Sequence, residues 1–232
     1  LYDFYNFVVE KIIEASQANI ELKRKIVLDL EKYKPKQQIK YNTHHSDRII
    51  AIGASAGGTT AIEFILRQLS NNLPGIVITQ HMPEGFTKLF ADRLNDLCQV
   101  EVKEAEDNDR VLPGRVLIAP GGKHMLLRGN ASSYWVSLSD APPVNRHRPA
   151  VDVMFDSVAE VAKGKATGII LTGMGSDGAK GLLKMKNAGA YTIAQDKDSC
   201  VVYGMPQQAV LLNAHTTIMP LQQIPGYLNQ KG

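Results

Sequence analysis

Apolar residues Phe4, Phe7, Val8 and Ile12, then Ile20, Leu22, Ile26, Val27 and Leu30, recur at roughly helical spacing with charges between them. That period predicts two helical pieces over residues 1–33, broken near residues 15–19. It disappears in KPKQQIKYNTHHSD, residues 34–47, which is polar, basic and interrupted by Pro35 and reads as a linker. From Arg48 onward, short β-branched runs alternate with helical stretches: a strand at 48–52, a helix to about 69, a strand at 76–79, a helix over 85–97 and a strand at 116–119. Two strand-like runs between Lys123 and Leu138 flank the turn residues Gly129 and Asn130, predicting a hairpin added to the sheet. A helix over 150–162, a strand at 167–171, a helix near 178–188 and a strand at 191–194 follow.

Strands alternating with helices in this way predict an α/β fold: a doubly wound, mostly parallel sheet with flanking helices and an added antiparallel hairpin. The 232 residues suffice for one such domain plus an appended segment. With 44% apolar and 21% charged residues, the composition favours neither a disordered nor a fibrous chain. The net charge of +3 is spread evenly and no basic run is long enough to form a nucleic-acid surface, so nucleic acid is not an expected partner. Cys98 and Cys200 lie in unrelated contexts without the paired spacing of a zinc site or a redox disulfide, which points to a reducing compartment. No apolar run approaches the ~18–20 residues of a membrane span and no signal-peptide pattern opens the chain, so neither membrane insertion nor export is expected. The chain begins at Leu1 rather than Met, as a fragment would.

The first chemically informative segment is GASAGG, residues 53–58, which follows an apolar strand and opens a helix. A dinucleotide fingerprint needs glycine where Ser55 stands, and an acidic residue about twenty positions on, where the second strand ends instead in Gln80 and His81. A phosphate loop needs lysine after Gly58, and the sequence has Thr59 and Thr60. A nucleophile elbow fits better: small neighbours permit a tight strand-to-helix turn that presents the Ser55 hydroxyl, and the helix start offers free N–H groups to an oxyanion. A purely structural glycine-rich turn remains an equal alternative for this motif taken alone.

His81, in TQHMP, ends the next strand at the edge where open α/β sheets bind ligands, so it can face Ser55 across a crevice. LTGMGSDG, residues 171–178, places Asp177 at the same edge, where it would otherwise serve as a cap for the following helix. Serine, histidine and aspartate from three separate strand ends are the nucleophile, base and orienting group that acyl transfer requires. Their order in the chain differs from the serine, acid, histidine order of ordinary α/β-hydrolases.

GASAGG, QHMP, PGRVLIAPGGKHM, PPVNRHRPAVDVMF and LTGMGSDGAKG, in this order and from about Arg48 to near the C-terminus, resemble the catalytic domain of the CheB family, the chemotaxis protein-glutamate methylesterases. The resemblance implies a serine hydrolase that demethylates γ-glutamyl methyl esters on chemoreceptors and converts certain receptor glutamines to glutamates. Ser55 would be its nucleophile, His81 its general base and Asp177 the partner of that base. It further implies Ala56 and Met174 as active-site wall and backbone oxyanion donors, although threonine is frequent in the family where Ala56 stands. No metal or organic cofactor is implied. Arg146 and Arg148 lie in the family's loop beside the cleft, where a cationic rim would suit a glutamate-rich receptor helix; solvated loop charges are the alternative.

Residues 1–16 resemble the last helix of a receiver domain, residues 17–47 would then be the interdomain linker, and 48–232 the catalytic domain. Methyl-accepting chemoreceptors and the protein's own receiver domain are the implied partners, in the cytoplasm at receptor arrays. A nucleotide-binding α/β module and a catalytically idle docking domain are the competing readings.

Overall fold

The computed structural model describes residues 18–31, 47–130 and 133–231, together with positions 9, 12 and 16. The expected receiver helix therefore lies largely outside the described residues, as do residues 17 and 32–46 of the expected linker. Helix α1, Ile20–Glu31, begins after Asn19, whose side chain accepts the Leu22 N–H at 2.9 Å. It sinks Ile26 and Leu30 into the core, so the sequence period read there is real.

The central sheet contains β1 Ile49–Ala54, β2 Gly75–Gln80, β3 Glu101–Glu104, β4 Arg115–Ile118, β7 Ala166–Ile170, β8 Tyr191–Gln195 and β9 Thr217–Met219. Their order is β3-β4-β2-β1-β7-β8-β9 and every pairing is parallel. β1 and β2 are buried at every position, which is why they read as continuous apolar runs rather than as alternation. The edge strands β3 and β9 escape that pattern. β3 is EVKE, with only Val102 buried, and β9 has three residues and none buried.

The helices α2 Gly58–Leu66, α3 Phe86–Leu97, α4 Val151–Val161, α5 Ala179–Asn187, α6 Met205–Leu211 and α7 Ile224–Lys231 complete the domain. The sheet separates two apolar cores, one containing Ile62, Ile65 and Leu94, the other Val151, Phe155 and Leu182. From β1 the chain first adds strands on one side, β2 and then β4 and β3, and later on the other, β7 to β9. β1 therefore stands at the switch point, where a crevice opens beyond the strands' C-terminal ends.

The hairpin forms as expected but does not join this sheet. β5 His124–Asn130 and β6 Ser133–Ser139 make a separate antiparallel pair. Residues 108–111 hydrogen-bond along the outer side of β6, as in Val111 N–H to Tyr134 O at 3.0 Å. Met125, Leu127, Tyr134 and Val136 are buried in the α4-side core, and Leu127 N–H reaches Ser157 Oγ on α4 at 2.8 Å. An alternating hairpin needs only one apolar face covered, and α4 provides that cover.

α4 packs closely on the sheet at Gly53, where an added Cβ would lie 2.2 Å from Val151 Cγ1 and 3.2 Å from Phe155 Cζ. Gly53→Ala is therefore expected to lower unfolding stability by about 1–3 kcal/mol through overpacking. Urea denaturation measures this, and an unchanged midpoint would show that α4 yields freely.

Candidate active site

The loops that leave β1, β2 and β7 converge at the switch point. Across β1 and β2, Ala54 pairs with Gln80, so Ser55 and His81, one residue beyond each, emerge side by side on neighbouring strands. The His81 N–H donates to Ala54 O at 3.1 Å, and the Ser55 N–H donates to Thr172 O, just beyond β7, at 3.1 Å. Ser55 is 8% exposed.

The turn into α2 is tight, but its left-handed backbone falls on Gly57, at φ 79°, and not on Ser55. A Cβ on Gly57 would lie 2.6 Å from Val201 Cβ, and one on Gly58 would lie 2.2 Å from Gln80 Oε1, so the small residues of GASAGG answer to close packing. Gln80 takes part directly: its buried Nε2 donates to Ser55 O at 3.0 Å and to His81 O at 3.2 Å, leaving its Oε1 without a partner among the described residues. Thr172 Oγ1 donates to Ala56 O at 2.9 Å and accepts the Val202 N–H at 2.9 Å. Gly173 packs so closely on Ser55 that an added Cβ would lie 2.8 Å from Ser55 Cβ, which brings the next residue, Met174, to the nucleophile's side.

His81 Nε2 and Asp177 Oδ2 are 2.7 Å apart, with side chains 7% and 2% exposed. An ionised carboxylate only accepts, so Nε2 carries the hydrogen and Nδ1 of a neutral His81 is left with its lone pair. Nδ1 is buried and has no hydrogen-bond partner among the described residues. The His147 ring stacks on His81 with centroids 3.6 Å apart and planes inclined by 12°.

Asp177 is also a helix cap, but not of the helix it precedes. Its Oδ2 accepts the Val151 N–H at 2.6 Å and its Oδ1 the Asp152 N–H at 3.2 Å, at the start of α4. In return Asp152, on α4, accepts the Gly181 N–H in the first turn of α5 at 2.7 Å. Burial pushes the Asp177 carboxyl up, but the hydrogen bond and charge of His81 and the donors Asn145 and Val151 outweigh it and hold Asp177 below the usual carboxylate range. Burial likewise pushes Asp152 up; Gly181 opposes the rise, but the charge of Asp177 adds to it, and Asp152 stays above that range.

The arginine loop is arranged differently from a simple cationic rim. Arg148 Nη1 donates to the carbonyls of Asp140 and Ala141 at 3.0 and 3.3 Å, bracing its own loop, whereas Arg146 is exposed in the turn before it. His124 is buried and bridges this loop to α4, with Nε2 3.1 Å from Pro142 O and Nδ1 accepting the Ala150 N–H at 3.2 Å. Asn145, Asp152, Gln80 and Thr172 were not singled out in the sequence. A signal existed for Asn145 alone, as an asparagine suited to a left-handed turn. Both cysteines are buried and their thiols pushed up by burial, Cys98 to about 12, so neither competes with Ser55 as a nucleophile.

No cluster of metal-ligating side chains occurs among the described residues, and none of their helices is long and apolar enough to cross a membrane. A protein-glutamate methylesterase/protein-glutamine glutaminase of Dechloromonas aromatica is 58% identical over 181 residues, covering 78% of this chain and 50% of that protein. One from Pseudomonas savastanoi pv. phaseolicola is 60% identical over 179 residues, again half of its length. The chain thus spans about half the length of the curated relatives it matches. The crystal structure of the Thermotoga maritima CheB methylesterase catalytic domain superposes with a TM-score of 0.77 at 42% identity, covering 80% of this chain and 98% of that one. Matched over residues 50–228 by the family model described as CheB methylesterase, this chain belongs to the CheB methylesterase family.

Proposed function

We propose that this chain is a serine hydrolase that removes methyl groups from γ-glutamyl methyl esters of chemoreceptors and deamidates receptor glutamines. The observation that carries this reading is the buried 2.7 Å His81–Asp177 hydrogen bond on the strand next to Ser55, which leaves His81 Nδ1 without a partner among the described residues. Ser55 Oγ attacks the ester carbonyl as Nδ1 takes its proton, and the Ala56 and Met174 N–H groups receive the oxyanion. Nδ1 then returns the proton to the departing methoxide, releasing methanol. Water, deprotonated by the same nitrogen, cleaves the acyl-enzyme to glutamate. With a glutamine substrate the leaving group is ammonia.

Arg146, at the tip of the loop beside the cleft, is placed to meet neighbouring receptor carboxylates, while Arg148 supports that loop from within. The chain works in the cytoplasm at receptor arrays. In the longer protein a receiver domain precedes α1 and regulates access to the cleft.

Incubation of the chain with receptor membranes carrying radiolabelled methyl esters is expected to release labelled methanol without added metal or cofactor. Absence of Ser55-dependent methanol under conditions where the chain is folded would overturn the assignment.

A further inference from the structure

Val144 and His147 exchange both backbone hydrogen bonds, at 3.0 and 2.9 Å, around a two-residue turn. Its central residues, Asn145 and Arg146, have φ of 51° and 67°, as in the type I′ turns that asparagine favours at the first position. Asn145 is an exposed residue of this loop, yet its side-chain amide turns to two carboxylates. Its amide nitrogen donates to Asp177 Oδ1 at 2.7 Å and to Asp152 Oδ2 at 2.8 Å. One NH₂ group thus spends both of its hydrogens on two carboxylates that sit side by side under α4 and α5.

Two carboxylates this close resist ionising together, and such a pair ordinarily comes to share a proton. A shared proton would neutralise part of the charge that Asp177 offers to His81. We propose that Asn145 is a positioning residue for the Ser55–His81–Asp177 reaction, its bifurcated amide holding Asp177 charged and aimed at His81 in spite of Asp152. This rests on the esterase reading above. Several charged or titratable groups face the pair from the surrounding elements. These are His81 beyond β2, with His147 stacked on it, Asp156 along α4, and Lys184 on α5, which is itself paired with Asp156; Arg146, next in the turn, is exposed.

Asn145→Gly separates turn from side chain, because glycine accepts the left-handed φ at no steric cost. In this variant, carboxyl NMR titration should find the apparent pKa of the Asp152/Asp177 pair raised by about one unit, and in Asn145→Asp by more. Methanol release by Asn145→Gly should fall in kcat by about tenfold at acidic pH, with KM within about twofold, and recover as rising pH ionises the pair. An unchanged pair titration in both variants, or an acid-side kcat equal to wild type, would overturn the proposal. If the wild-type chain released no Ser55-dependent methanol, the esterase reading would fall, and the carboxyl titration would still decide what Asn145 does.

Discussion

Ser55→Ala is expected to lower methanol release by a factor on the order of 10⁴ to 10⁶ while leaving the fold as it is. The activity loss follows from chemistry: in the proposed mechanism the Ser55 oxygen forms the covalent bond to substrate, and alanine has no hydroxyl to give its proton to His81. The intact fold follows from what Ser55 contributes to packing. Its structural bonds are made by the backbone, with N–H to Thr172 O and C=O accepting from Gly58 N–H at 2.8 Å and from Gln80 Nε2. All of these survive the substitution, and the folded protein should differ in stability by no more than about 0.5 kcal/mol. Methanol release and urea denaturation on the same preparation separate the two effects. Activity near wild type would remove Ser55 from the chemistry, and a large stability loss would mean that its hydroxyl is structural.

The parts of the molecule that were legible in the sequence are those governed by local pattern. β1, β2 and β7 are short apolar runs, and Ser55, His81 and Asp177 lie beyond their C-terminal ends. β3 was missed because an edge strand such as EVKE buries one side chain and carries three charges, so it has neither an apolar run nor alternation to reveal it. The placement of the hairpin was missed for another reason. Its alternating pattern specifies a covered face but not the element that covers it, and α4 rather than the sheet does so.

The supporting residues of the site were illegible because they act across long separations. Gln80 reaches back 25 residues to Ser55, Thr172 joins Ala56 across 116 residues, and Asp177 caps a helix that begins 26 residues earlier. An aspartate just before a helix suggests a cap of that helix, and no periodicity says that it turns instead to another. The pairing of His81 by Nε2 likewise depends on how the two loops meet, which is a property of the sheet and not of TQHMP. Ala56 shows the same dependence: its carbonyl is braced by the Thr172 hydroxyl from beyond β7.

Asp177→Asn is expected to show that the orienting role and the capping role belong to one carboxylate. Each Asp177 oxygen accepts two hydrogen bonds, Oδ2 from His81 and Val151 and Oδ1 from Asn145 and Asp152. Asparagine has one acceptor and one donor group, so in either orientation its NH₂ confronts two donors. If the amide faces His81, it donates where an acceptor is required and favours the tautomer protonated on Nδ1, the nitrogen that must act as base. A loss of up to about 10⁴-fold in kcat follows. If it faces Asn145, the Asp152 N–H loses its acceptor, just as the Val151 N–H does in the first orientation, so each orientation removes one of the two caps of α4. Either way about 1–3 kcal/mol of stability should be lost at neutral pH. The pH dependence has a definite sign. The folded-state pKa of Asp177 is depressed, so its contribution to stability is complete above the ordinary aspartate value of about 3.9 and is lost as pH falls through the folded value. The stability gap between wild type and Asp177→Asn should accordingly narrow in that acidic range and stay constant above it. Methanol release at neutral pH, with urea denaturation from neutral to acid, checks both halves. A variant within tenfold of wild-type activity that still showed the stability gap would reduce Asp177 to a cap of α4.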